Sequence, residues 1–165
     1  HGVFRRQRQM CIRDRKVTSN PLFKGVTVVS MGEPLQPQSK DLVVTFRNLH
    51  NWLARDTMKA TMLEAYDALK SGGYFGVVEH RAPEGSSMEY MTTSGYVSQS
   101  LAIEVAESVG FTLVEASEIN ANPKDTKDHP KGVWTLPPSY RLKDENRSKY
   151  ESIGESDRMT LLFMK

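Results

Sequence analysis

Two short clusters hold most of the side chains able to do chemistry. Arg47, Asn48, His50, Asn51 and Trp52 follow the apolar run "DLVVTF" at 41–46, and Glu79, His80 and Arg81 follow "YFGVV" at 74–78. An imidazole ordinarily titrates near neutrality, so His50 is the candidate to remove a proton at physiological pH. The alternative is a loop histidine bonded to backbone. Glu79 could act with it by orienting the ring, or could pair with Arg47 or Arg81. Asn51, Trp52, His80 and Arg81 are candidates for substrate contact, with core packing the alternative for Trp52.

Both clusters sit where an apolar run stops, so the elements must bring strand ends together. "GVTVVSM" at 25–31 reads as a strand, and "DLVVTF" as a second whose continuous apolar character suits burial on both faces. Asp56 is placed to cap a helix in which Met58, Met62, Ala65, Tyr66 and Leu69 recur at helical spacing, with Gly72 and Gly73 as its stop. "YFGVVE" at 74–79 is the third strand. Val97, Leu101, Val105 and Val109 mark a helix over 95–110, and "FTLVEASEI" at 111–119 alternates as a strand. The stretch from Asn120 to Arg141, with four prolines, reads as one long loop before a closing strand at 158–165. Strands alternating with helices predict an α/β fold with a mostly parallel sheet and an antiparallel closing strand. Ligands of such sheets sit outside the carboxyl ends of the strands.

The strings "FRNLHNW", "LKSGG", "VVEHR", "INANPKDTKDHPKGVWTLPP" and "IGESDRMTL" over residues 25–165 together resemble the C-terminal part of a class I S-adenosylmethionine-dependent methyltransferase, of a bacterial branch known as predicted methyltransferases. The resemblance implies a Rossmann-like methyltransferase sheet, S-adenosyl-L-methionine as cofactor and a small-molecule substrate. It implies cofactor contacts from Met31, Gly32, Glu33, Arg47 and Asn48. The same family opens with a Gly-rich turn after its first strand and an acid ending its second. Neither occurs here, because Gly72 and Gly73 close a helix pattern instead of opening one. The expectation is therefore a fragment lacking the first two βα units, with strand 41–46 left as a bare apolar edge.

The long loop carries Asn120, Asn122, Lys124, Asp125, Lys127, Asp128, His129 and Trp134. It reads either as a polar substrate loop, contributing Asn122 and His129, or as a rigid structural loop. Arg158 could join the same network. No metal site is expected, since no cysteine assists and lysines interleave the acids.

The formal charge is +2, but residues 1–16 hold six basic side chains against Asp14, leaving 16 basic and 19 acidic residues in the other 149. The basicity belongs to the beginning of the chain, where residues 1–24 read as a disordered or artefactual basic tail and 25–165 as the truncated domain. Cys11 is the only cysteine, which excludes disulfides and Cys-metal sites from the rest. No apolar run is long enough to span a membrane. The compartment defaults to the cytoplasm, with export open because the natural N-terminus is taken to be missing; oligomeric state is not legible.

A hydrolase of the Gly-x-Ser-x-Gly type finds no motif. The non-enzymatic alternative is a nucleic-acid or partner-binding module that uses the basic arm, whereas the methyltransferase reading expects no nucleic-acid partner. Without the Gly-rich turn, calorimetric titration of the 165-residue chain with S-adenosylmethionine should give no heat of binding. Tight binding would overturn the expectation of a fragment.

Overall fold

The computed structural model describes residues 20–27 and 35–165. The basic arm with Cys11, residues 28–31 of the expected first strand, and the expected cofactor residues Met31, Gly32 and Glu33 lie outside the described residues. The chain divides between Pro34 and Leu35, and the two parts are taken separately. In the first, Asn20 Oδ1 accepts the Leu22 N–H at 3.0 Å and starts a single 3-10 turn, Pro21–Phe23.

In the second part, four strands form one sheet: β1 (Lys40–Phe46), β2 (Leu69–His80), β3 (Thr112–Ser117) and β4 (Arg158–Met164). Their order is β1-β2-β4-β3. β1 runs parallel to β2, and β4 runs antiparallel to both β2 and β3. Three strands therefore share one direction, and the closing strand enters between the second and third in reverse, as the sequence predicts. Its first residue pairs with the last of β2, His80 against Arg158. The polar ends of β1 and β2 and the start of β4 thus meet at one end of the sheet.

Several elements depart from the sequence reading. β1 is not buried on both faces: Leu42, Val44 and Phe46 are 50% exposed or more, while Thr45 is buried and Val43 packs on the core. Among the described residues β1 is one of the two edge strands, and the face carrying Leu42, Val44 and Phe46 is open to solvent. The helix after it is two helices, α1 (Leu49–Ala54) and α2 (Met58–Ala68). Asp56 does not cap α2. It adopts φ 55° in the joint between the two and donates its N–H to Leu53 O; Thr57 holds the cap position without a side-chain cap bond, its Oγ1 donating instead to Trp52 O.

Gly72 and Gly73 do not stop a helix either. α2 ends at Ala68, and the glycines lie in a bulge of β2, which spends five residues from Leu69 to Tyr74 where β1 spends two from Lys40 to Leu42. Gly72 takes φ 77° there and gives its N–H to Lys165 O, a conformation that glycine adopts without a Cβ penalty.

The helix expected over 95–110 starts later, and a helix that the sequence reading did not anticipate precedes it: α3 (Met88–Ser94) comes first, and α4 (Gln99–Ser108) fills the expected span. Val97, at the fourfold spacing, instead extends the sheet: its N–H donates to His80 O at 2.8 Å and its carbonyl accepts from Ala82 N. Residues 120–141 form the expected loop, with a 3-10 turn at Gly132–Thr135. Beyond it the sequence reading missed α5 (Arg147–Ile153), a charged helix with only Tyr150 buried.

The core lies between the sheet and helices α2 and α4. Met58, Met62 and Ala65 face it, as the helical spacing implies. Phe75 stacks on Phe111 with ring centroids 5.0 Å apart and on Phe163 at 6.2 Å, joining β2, β4 and the start of β3. Among the described residues no helix is long and apolar enough to cross a membrane. Phe75 is fully buried, so Phe75→Ala should cost about 3–5 kcal/mol of unfolding free energy in urea titration. A loss below about 1 kcal/mol would mean that this aromatic stack is not the packing centre.

Candidate functional site

The site begins where β1 ends. Arg47 donates its N–H to Val78 O at 2.8 Å, the last bond between β1 and β2, and turns the chain with φ 57°. A non-glycine residue in this region is disfavoured by about 1 kcal/mol or more. The turn lifts the chain off the sheet so that α1 starts at Leu49. Asn48 stands at its N-cap position and makes no cap bond; its Nδ2 donates to Thr45 Oγ1 at 3.3 Å. His50, in the first turn of α1, comes to rest over the end of β2.

Beneath it lies Glu79, a fully buried carboxylate. Oε2 accepts the His50 backbone N–H at 3.2 Å, and Oε1 accepts the His80 backbone N–H at 2.8 Å. Oε1 also lies 3.1 Å from His50 Nδ1. A carboxylate there calls for the proton on Nδ1, which leaves Nε2 of His50 as the proton-accepting nitrogen.

The second imidazole is set differently. His80 Nδ1 lies 2.5 Å from Ser156 Oγ, and its ring centroid is 5.5 Å from that of His50. Burial pushes His80 down to about 3, helped by the field of His50 when that ring carries a proton and by the positive fields of Arg158 and Arg47. It is therefore neutral at physiological pH.

Above these residues opens a cavity of about 320 Å³. Phe46, Arg47, Asn48 and His50 form one wall and His80 the floor; Arg158 joins from β4. The far wall is Val133, Trp134, Pro137, Pro138 and Ser139 from the long loop. Gly132 lets that loop approach, since a Cβ there would sit 2.0 Å from Ser94 O. Trp134 meets His50 edge-on at 5.9 Å and carries the Arg141 guanidinium over its face at 4.8 Å.

Of the residues singled out from sequence, Arg47, Asn48, His50 and His80 line this cavity, while Glu79 lies behind it and touches both histidines. Asn51 and Trp52 do not line it, and Trp52 packs on the core. Arg81, Asn122 and His129 belong to a second polar network. Arg81 is bidentate to Glu118 at 2.7 Å and reaches Asp157 at 3.0 Å. Asn122 donates its backbone N–H to Asp157 Oδ1 and its side-chain amide to the carbonyls of Ile153 and Glu155. His129 Nε2 lies 2.8 Å from Asp125 Oδ1, a buried carboxylate that also accepts from Tyr96 Oη and from the backbone of Lys127 and Asp157. Burial pushes the Asp157 carboxyl up, but hydrogen bonds from Arg81, Lys127 and Asn122 override it and hold it at about 2. This network fastens the long loop to β4, which is what a rigid structural loop requires.

Sequence reasoning passed over Ser156 and the 137–139 stretch. Only the unbroken string "KGVWTLPP" hinted at the latter. His50, Glu79 and His80 each offer a ligand atom within 4.8 Å of the others. Both Glu79 oxygens already hold N–H groups, and two guanidiniums share the cavity, so the set fits a hydrogen-bonded cluster better than a cation site.

No family model matches this sequence, and no curated protein matches it. Solved structures do. The (4+2)-cyclase SpnF is 13% identical, with a TM-score of 0.52, over 85% of this chain and 54% of its own. A putative S-adenosylmethionine dependent methyltransferase from Listeria monocytogenes is 16% identical over 81% of this chain and 65% of its own, TM-score 0.47. A SAM dependent methyltransferase from Archaeoglobus fulgidus is 16% identical over 79% and 62%, TM-score 0.48. The chain spans between about half and two thirds of the length of these proteins. At such identities the likeness is one of fold, and it rests on the first of them: the chain shares a Rossmann-like α/β fold with SpnF over 85% of its length.

His80 gives this site a pH signature. An unfolded histidine takes a proton near pH 6.5, whereas folded His80 resists it down to about 3. Below pH 6.5 the unfolded chain therefore binds a proton that the folded chain does not. Stability is full above that pH and falls as pH drops toward 3, by up to about 1.4 kcal/mol per pH unit from this group. Urea titrations at about pH 7 and pH 5 should show a loss that shrinks in His80→Gln. Identical losses in the two proteins would show that His80 is not held neutral by its surroundings.

Proposed function

We propose that the protein transfers a methyl group from S-adenosylmethionine to a small-molecule acceptor, with His50 as general base. The observation that carries this reading is the 3.1 Å contact of His50 Nδ1 with buried Glu79, at the rim of a cavity outside the carboxyl ends of parallel strands. The fold supports it, and so does the resemblance of the sequence strings.

When bound, the cofactor supplies an electrophilic methyl on a sulfonium, which leaves as a neutral thioether. The protein's part is to align the acceptor with that methyl and to take the acceptor's proton. In this chain Asn48, exposed at the end of β1, is placed to meet the cofactor, and Arg47 beside it to face both cofactor and acceptor, with Met31, Gly32 and Glu33 as the further cofactor residues expected. With the cofactor bound, His50 Nε2 would take the proton that the acceptor gives up. Glu79 is a positioning residue. It keeps the Nδ1 proton in place, fixes the ring, and stabilises the imidazolium that forms. Trp134 and the prolines of the loop exclude water from the same space.

The assay follows turnover in the natural protein. His50→Ala should lower the rate of S-adenosylhomocysteine release about 100-fold or more and leave cofactor affinity nearly unchanged. Unaltered turnover would remove His50 from the mechanism.

A further inference from the structure

We propose that the cavity recognises a compact acceptor through an anionic group, a carboxylate or phosphate, held between Arg47 and Arg158 with the ligand's apolar body against Trp134 and Pro137. The word acceptor rests on the methyltransferase reading; the binding of an anion does not.

Charge is the first argument. Two guanidiniums line the cavity, and none of its eleven lining residues is an acid. Arg47 forms no ion pair among the described residues. Arg158 pairs through Nη2 with Glu155, whose own side chain is 55% exposed. Asp157, next in sequence, is spent on Arg81 and Lys127. The field of the two guanidiniums is felt inside the site, where both contribute to holding His80 unprotonated.

The second argument is an unmet donor. Arg158 Nε is buried and has no hydrogen-bond partner, the one such side-chain atom among the described residues. Buried N–H groups in native proteins are nearly always paired, so this orphan marks a guanidinium that the protein's own acceptors leave incompletely satisfied. A guanidinium presents its donors in a planar fork that suits carboxylate and phosphate oxygens.

Shape sets the rest of the ligand. A volume of about 320 Å³ lies at the small end of ligand cavities. Phe46, Val133, Trp134, Pro137 and Pro138 supply apolar surface, so a small flat acid fits and a polyanion does not.

The test titrates the 165-residue chain, carrying Trp52→Phe so that Trp134 alone reports, with benzoate and with its neutral counterpart benzamide at fixed ionic strength. Benzoate should bind saturably and benzamide at least about tenfold more weakly. Arg47→Gln and Arg158→Gln should each weaken benzoate about tenfold or more, while Lys59→Gln, on the exposed face of α2, should not change it. Arg47 is exposed, so its variant keeps the test decisive if Arg158→Gln fails to fold. Inorganic phosphate that binds alone, or displaces benzoate, supports the same clamp and marks a phosphate-bearing acceptor. Equal affinity for benzoate and benzamide, or indifference to both arginine variants, would overturn the proposal. Such a failure leaves methyl transfer to a neutral acceptor standing. Benzoate binding without any methyl transfer in the natural protein would instead sink the methyltransferase reading alone.

Discussion

A carboxylate with no access to water organises this end of the molecule. Moving an ionised carboxylate out of water costs several kcal/mol even after relaxation, and that penalty is offset only where donors converge on it. Glu79 meets the condition with the backbone N–H groups of His50 and His80 and the Nδ1 side of the His50 ring. Two of these donors belong to His50, in the first turn of α1, and the third to His80, at the end of β2. Glu79 therefore ties α1 to the sheet, and it sets which nitrogen of His50 is left to accept a proton. Removing the carboxylate would leave two buried backbone donors unmet as well as a free ring.

The closing strand does the complementary work. Because β4 runs backward between β2 and β3, its start reaches the same end of the sheet as the finish of β2. That brings Ser156 to His80 and Arg158 to the cavity. The residue between them, Asp157, turns the other way and gathers Arg81, Lys127 and the Asn122 N–H. Buried Asp125 extends this network to Tyr96 and His129. One buried acid thus governs the site and two others anchor the loop that walls it. The acids are consumed in structure, and the cavity is left with a surplus of positive charge.

The same economy explains why the site is shallow in charge-changing groups. His80 is kept neutral by burial and by the cations around it. Trp134 is fixed between His50 and Arg141. What faces the cavity is one oriented imidazole, two guanidiniums and an apolar wall, an arrangement suited to aligning a small acid beside a proton acceptor.

The amino-acid sequence by itself determined the α/β class, the closing strand's reversed sense and the placing of His50 and Glu79 at neighbouring strand ends. These follow from short-range periodicity and from the order of elements, both carried in the chain locally. Helix and strand ends were legible only in part. Asp56, Gly72 and Gly73 each have two uses, and only the packed neighbours select between capping a helix and shaping a joint or bulge. Val97 kept helical spacing yet pairs with His80, because a sheet edge competing for its N–H appears only in three dimensions. Tertiary structure alone decided which polar residues share a space. Arg81, Asn122 and His129 look as reactive in sequence as His50 and His80, but they satisfy the buried carboxylates of Asp157 and Asp125. Arg158, more than 70 residues beyond His80, reaches the cavity because an antiparallel ladder puts the two opposite each other. Long-range pairing of this kind is set by the global register of the sheet, which no local pattern of residues contains.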